Sequence, residues 1–175
     1  MSKYESIVPE DIASNTFDFH GASIEIETDS ESTYQGYWPA YWFFAKGYYG
    51  LTNTNPPPHF AGIKSSKPLI VDQYDFTAYY DNVAMSVKDF KIESSMDGET
   101  WDTLYTGVIP NTSAYTQKCV FNPTICKYIR CTAITTYDTR GYSWFHGYDF
   151  KIYGTLAGPF LYTNPDAYGI PKEEK

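Results

Sequence analysis

An all-β fold, a sandwich or barrel of short strands, follows from three features of the sequence. No stretch carries a long helical periodicity. Several short runs instead alternate apolar and polar residues, the pattern of a half-buried strand. Gly, Asn, Asp and Pro punctuate those runs and supply turns. Many short strands with turn signals between them close into a sandwich or barrel.

Residues 14–30 read as an opening strand region, with Phe17 and Phe19, then Ile24 and Ile26, set against polar neighbours. Residues 34–62 read as a long irregular stretch, because Gly36, Gly47, Gly50, Asn53, Asn55 and the run Pro56-Pro57-Pro58 forbid regular structure. A loop of that length inside a domain usually serves a function. Strands follow at 68–77 and 89–95, the second alternating cleanly. Asp97-Gly98 offers the tight turn of a hairpin, with Trp101 just beyond. Runs at 116–122, 127–135 and 148–154 complete the set, and the Gly- and Pro-punctuated tail reads as an extension.

A chain of 175 residues suits one domain, and 42% hydrophobic against 19% charged residues makes it globular. The 18 Tyr, 11 Phe and 4 Trp favour strands and also supply amphipathic surface for recognition. A net charge of −8, with 13 basic residues scattered among 21 acidic ones, argues against nucleic acid, which needs clustered Lys and Arg. No basic amphipathic helix or bilayer-length apolar run suggests a membrane. Residues 1–6 lack the apolar core of a signal peptide, so with a native Met1 the chain is expected to be made and folded in a cytoplasm.

Cys119, Cys126 and Cys131 have neither zinc nor disulfide-framework spacing. Cys131, in a strand-like run, reads as a small buried thiol; a cross-strand Cys119–Cys131 bridge is the alternative and would leave Cys126 unpaired. His20, His59 and His146 lie far apart, with no HExxH spacing, no Gly-x-Ser-x-Gly elbow and no phosphate-cradling loop. The expectation is therefore a protein without catalytic activity.

The segment from Phe90 to Trp101, with Ser95, Asp97, Gly98 and Trp101 spelling Ser-x-Asp-Gly-x-x-Trp, resembles the discoidin superfamily. That superfamily includes the coagulation-factor C domains and the family 32 carbohydrate-binding modules. Lys127-Tyr128-Ile129-Arg130-Cys131 is similar to its Tyr-x-Arg strand, with Cys131 where Leu is common. Tyr148-Asp149-Phe150-Lys151-Ile152-Tyr153-Gly154 is similar to its closing strand. The resemblance spans residues 20–155, leaving 1–19 as an N-terminal arm and 156–175 as a C-terminal extension. It implies a discoidin-like, galactose-binding-like jelly-roll β-sandwich of antiparallel strands, with long ligand loops at one end. Asp-Gly tolerates the positive φ of the turn, and Trp101 is expected to fold back over it as a structural residue.

The resemblance also implies a structural calcium near the first long loop. Lys46 stands where an acid is expected, Asp149 matches the acidic position on the closing strand, and Asn53 and Asn55 could lend oxygens. No cofactor is required. Three segments match the family's ligand loops. The first carries Trp38, Trp42, Tyr48, Tyr49 and His59, and the second Tyr79, Tyr80, Asp81 and Asn82. The third runs through Arg140, Tyr142, Trp144, Phe145 and His146 and has the densest mix of rings and polar groups. Such a surface suits sugars, whose C–H faces stack on rings while Asn, Arg and His bond the hydroxyls. Trp144 and Phe145 either bind in this way or plug the end of the barrel. The expected function is non-catalytic recognition of cell-surface glycan, in the setting of a phage virion that acts outside the cell. The alternative is a structural or adaptor protein of a virion or other assembly, using the same fold for protein contacts.

Overall fold

The computed structural model describes residues 2, 4–29, 39–52, 58–78, 87–111, 115–137 and 145–158, the side chains of 49–52 excepted. The strands are β1 (Glu5–Ser6), β2 (Thr16–Phe19), β3 (Ala22–Thr28), β4 (Tyr49–Thr52), β5 (His59–Ala78), β6 (Asp89–Ser95), β7 (Asp102–Val108), β8 (Tyr115–Ala133) and β9 (Phe145–Leu156). A single 3₁₀ turn, Ala40–Phe43, is the helical element of the described residues. All pairings are antiparallel.

β5 and β8 are long enough to serve both layers of a sandwich. The first part of β5, up to Lys64, pairs with β3 and with the later part of β8. Its register then breaks between Lys64 and Leu69, at Ser65-Ser66-Lys67-Pro68, and the second part pairs with β9 and the earlier part of β8. One layer is therefore β2-β3-β5-β8-β6-β7, and the other is β9-β5-β8 with β1 and β4 along β9. The two runs expected at 116–122 and 127–135 are one strand, interrupted by an irregularity around Pro123, where a ladder donor is missing.

Alternation puts Ile24, Ile26, Ile63, Ile92 and Ile129 of one layer against Val71, Phe76, Phe150 and Ile152 of the other, all buried. Tyr74 crosses between the layers and donates its hydroxyl to the Ala61 carbonyl at 2.8 Å, which satisfies a polar group that burial would otherwise penalise. Gly62 allows β5 and β8 to close up. A Cβ there would stand 2.2 Å from the Ile129 carbonyl oxygen, so any side chain must force the strands apart. Cys119, Cys126 and Cys131 are free, buried thiols, so no Cys119–Cys131 bridge forms, and burial pushes the Cys126 thiol up to about 12.

The N-terminal arm, residues 1–19, packs on the sandwich: β1 pairs with β9, the Ile7 amide donates to the Ile152 carbonyl at 2.7 Å, and Ile7, Val8 and Ile12 are core residues. The stretch at 34–62 is only partly irregular, since it holds the 3₁₀ turn, β4 and the start of β5.

The turn at Asp97-Gly98 is wider than a tight hairpin turn, because residues 96–101 separate β6 from β7. Ser95 Oγ accepts from the Asp97 and Gly98 amides at 3.2 and 2.9 Å, and Asp97 Oδ1 accepts from the Glu99 and Thr100 amides at 2.8 Å each. Those amides hold the Asp97 carboxyl down at about 2. Gly98 takes a φ of 82°, and Trp101 folds back to donate Nε1–H to its carbonyl at 3.2 Å. The Arg130 guanidinium lies 3.5 Å over the indole, a cation–π contact that ties β8 to the turn.

Candidate functional site

Register places the strand ends at Thr28, His59, Ala78, Asp89, Val108, Tyr115, Ala133 and Phe145 at one end of the sandwich. The sequence segments that join these ends are those expected to carry ligand residues. Trp38, Tyr79, Tyr80, Asn82, Arg140, Tyr142 and Trp144 lie outside the described residues, as do Asn53 and Asn55.

Among the described candidates, Trp42 and Tyr48 come together beside the start of β4. Their ring centroids are 5.1 Å apart, with Trp42 half-buried and Tyr48 50% exposed. Partly solvated rings held side by side suit stacking on the apolar face of a sugar. Three other candidates are placed differently. Phe145 is fully buried, 5.3 Å from Phe43 and 5.8 Å from Phe150 between ring centroids, so it fills the core. His146 is buried in β9, and desolvation pulls its imidazole down to about 3. His59 is buried at the start of β5, where Nδ1 lies 2.5 Å from Asp29 Oδ2. These three are interior strand positions rather than loop groups open to a ligand.

Asp149 sits at a bulge where β9 carries more residues than β5 between Tyr148 and Lys151, and takes a φ of 54°. Its carboxylate lies 3.5 Å from Lys151 Nζ. Lys151 Nζ also reaches Glu10 Oε1 at 3.1 Å, and Lys46 Nζ reaches Glu10 Oε2 at 3.4 Å. Hydrogen bonding to Lys151 is the leading cause that holds the Glu10 carboxyl below its ordinary value. Two ammonium groups thus lie against the Asp149 and Glu10 carboxylates, and among the described residues no three His, Cys, Asp or Glu side chains converge.

A concavity lies on the flank of the layer that holds β3. The outward face of β3 carries Glu25 and Glu27, and with Asn15, the Pro39–Ala40 segment and Phe60 they line a cleft of about 620 Å³. Asn15 shapes its rim: its carbonyl accepts from the Ile26 amide at 2.7 Å and its Oδ1 from the Tyr41 amide at 2.9 Å. No motif marks these residues. Their exposure follows from the alternation of β3, in which Ile24 and Ile26 turn inward.

The sequence matches the family model for the F5/8 type C domain over residues 26–146. No curated protein matches it. Among solved structures, CBM32-3 from a family 31 glycoside hydrolase of Clostridium perfringens is similar, with a TM-score of 0.61 at 19% identity, over 75% of this chain and 91% of that one. A CBM32 of the same organism in complex with GalNAc-β-1,3-galactose gives 0.58 at 12% identity, over 74% and 94%. The family 32 module of NanJ, also from C. perfringens and in complex with galactose, gives 0.59 at 14% identity, over 74% and 93%. At such identities the likeness carries the fold, a discoidin-like β-sandwich, and not the ligand. With the Ser95-x-Asp97-Gly98-x-x-Trp101 turn built as one hydrogen-bonded unit and the match running from 26 to 146, this chain belongs to the F5/8 type C, or discoidin, domain family.

Proposed function

We propose that this protein is a non-catalytic carbohydrate-binding module that holds glycan at the loop end of its sandwich. The observation that carries this reading is the half-solvated Trp42–Tyr48 pair, in a segment that resembles the family's first ligand loop and in a fold whose similar structures hold galactose and GalNAc-β-1,3-galactose. A third similar structure is a CBM32 in complex with an unsaturated mannuronic acid, so the fold accommodates several sugar types. Rings supply stacking, while the polar residues of segments 79–82 and 140–144 supply orientation. The narrower setting is a phage virion gripping bacterial polysaccharide, which the Tyr-rich composition supports.

A glycan array probed with wild type and Trp144→Ala tests the reading. Wild type should bind a restricted set of glycans saturably, and loss of the Trp144 ring should weaken that binding by about tenfold or more. No glycan binding by wild type, with stable hetero-oligomers in its place, would favour the adaptor reading instead.

A further inference from the structure

The β6–β7 and β6–β8 ladders end at Asp89–Val108 and Phe90–Ala133, yet the three chain segments stay tied together beyond them. Val87 bridges Thr136, and the Lys88 amide donates to the Thr135 carbonyl at 2.9 Å. The Lys88 carbonyl accepts from the Ile109 amide at 2.9 Å, and the Asp89 carbonyl accepts from the Ile134 amide at 2.7 Å. Asp89 and Thr135 also bond through their side chains: the Asp89 amide donates to Thr135 Oγ1 at 3.2 Å, and that hydroxyl donates to the Asp89 carboxylate. Tyr137 fastens this clasp. Its hydroxyl donates to the Ile109 carbonyl at 2.7 Å, and Lys88 Nζ lies 5.9 Å over its ring. Ile109 is buried and Lys88 is exposed, so the half-buried ring links the edge of the core to a solvent-facing cation. In sequence, Val87 closes the segment that carries Tyr79, Tyr80 and Asn82, and Tyr137 opens the one that carries Arg140, Tyr142 and Trp144. The roots of both segments are thus fixed to each other, where strand ends would otherwise fray.

We propose that Tyr137 is a positioning residue for glycan binding, holding the roots of segments 79–86 and 138–144 in one register so that both can meet the same sugar. The proposal rests on the loop-end reading, but Tyr137 itself is not a ligand residue. Affinity scales with the fraction of molecules in the competent arrangement. A single hydroxyl–carbonyl bond shifts such an equilibrium by about threefold to tenfold. The coupling is reciprocal, so bound glycan must in turn hold the clasp closed.

Residue-by-residue amide hydrogen exchange of the whole chain, together with the glycan array run as a concentration series, tests this. The variant is Tyr137→Phe, which keeps the ring beneath Lys88 and removes only the hydroxyl. Tyr105→Phe is the control, a half-buried tyrosine of β7 whose hydroxyl accepts from the Gln117 amide at 3.3 Å. Tyr137→Phe should speed exchange at the Lys88 and Ile109 amides by about threefold to tenfold, and weaken each glycan that wild type binds by a similar factor. Exchange at Ile92 and Ile129, in the central strands, should not change. Bound glycan should slow the Lys88 and Ile109 amides of wild type, and Tyr105→Phe should alter neither exchange nor affinity. Unchanged exchange at Lys88 and Ile109, equally faster exchange at Ile92 and Ile129, or an equal loss of affinity in Tyr105→Phe would each overturn the positioning role. Glycan binding that survives Tyr137→Phe undiminished would overturn this role alone. No glycan bound by wild type would remove the loop-end reading and this role with it.

Discussion

Phe150→Ala is expected to destabilise the fold by about 3–5 kcal/mol, a large part of the stability of a domain this size. The ring is the hub of the aromatic core. Its centroid is 5.2 Å from Phe43, 5.6 Å from Phe44, 5.4 Å from Phe76, 5.8 Å from Phe145 and 6.0 Å from Tyr74. Those partners come from the 3₁₀ turn and its end, from β5 and from β9 itself, so no one element can move in to fill the hole. Gly147 shows how tight the site is, because a Cβ there would lie 2.6 Å from the Phe150 ring. Phe150→Leu keeps most of the volume and should cost about half as much. Denaturant titrations at neutral pH give both values. A loss below about 1 kcal/mol for alanine would mean that the core is not assembled around this ring. The same rings anchor the segment that presents Trp42 and Tyr48, so loosening the core should also loosen the candidate sugar surface.

Acid should destabilise the protein through His146. In the folded state its imidazole titrates at about 3, against an ordinary value of 6.5, because burial penalises the charged form. The folded-state value is thus the lower one. Its stabilising contribution is full above pH 6.5 and falls as the pH drops, since the unfolded chain takes up a proton that the folded chain refuses. The slope is about 1.4 kcal/mol per pH unit, and the loss down to the folded-state value is on the order of 4 kcal/mol. Asp75 works the other way: desolvation raises its carboxyl, so its protonation favours the folded state as the pH falls. Stability measured by denaturant at pH 7, 6, 5 and 4 should therefore decline for wild type and be flatter for His146→Leu by about 1.4 kcal/mol per unit. Identical slopes for the two proteins would rule out a neutral, buried imidazole.

The placement of His146 and Phe145 shows where a sequence stops short. Alternation along β9 is legible from Phe150 through Ile152 to Gly154, and it correctly turns those residues inward. Carried back past Asp149, the same alternation gives the wrong phase, because the bulge inserts a residue and brings Phe145 to the core. A bulge has no reliable signature when its positive-φ residue is Asp rather than Gly. His59 was misplaced for a related reason: three prolines before it read as loop, yet it is the first residue of the longest strand. The Ser95–Trp101 turn was legible because its Ser95, Asp97 and Trp101 side chains each bond within a few residues of themselves. The cleft at Glu27 was not, because Asn15, Glu27, Pro39 and Phe60 meet only through register and chain reversal. The joining of residues 1–19 to the sandwich was likewise invisible, since β1 is only Glu5–Ser6 and its partner lies at the far end of the chain.

The central claim is that glycan is held at the loop end. Amide chemical-shift mapping by NMR, with the tightest neutral glycan from the array as the probe, tests it most directly. Shifts concentrated in residues 39–58, 79–88 and 134–146, with the opposite turn at 96–101 silent, are the predicted result. Saturating shifts centred on the 96–101 turn, or none anywhere at millimolar glycan, would contradict it.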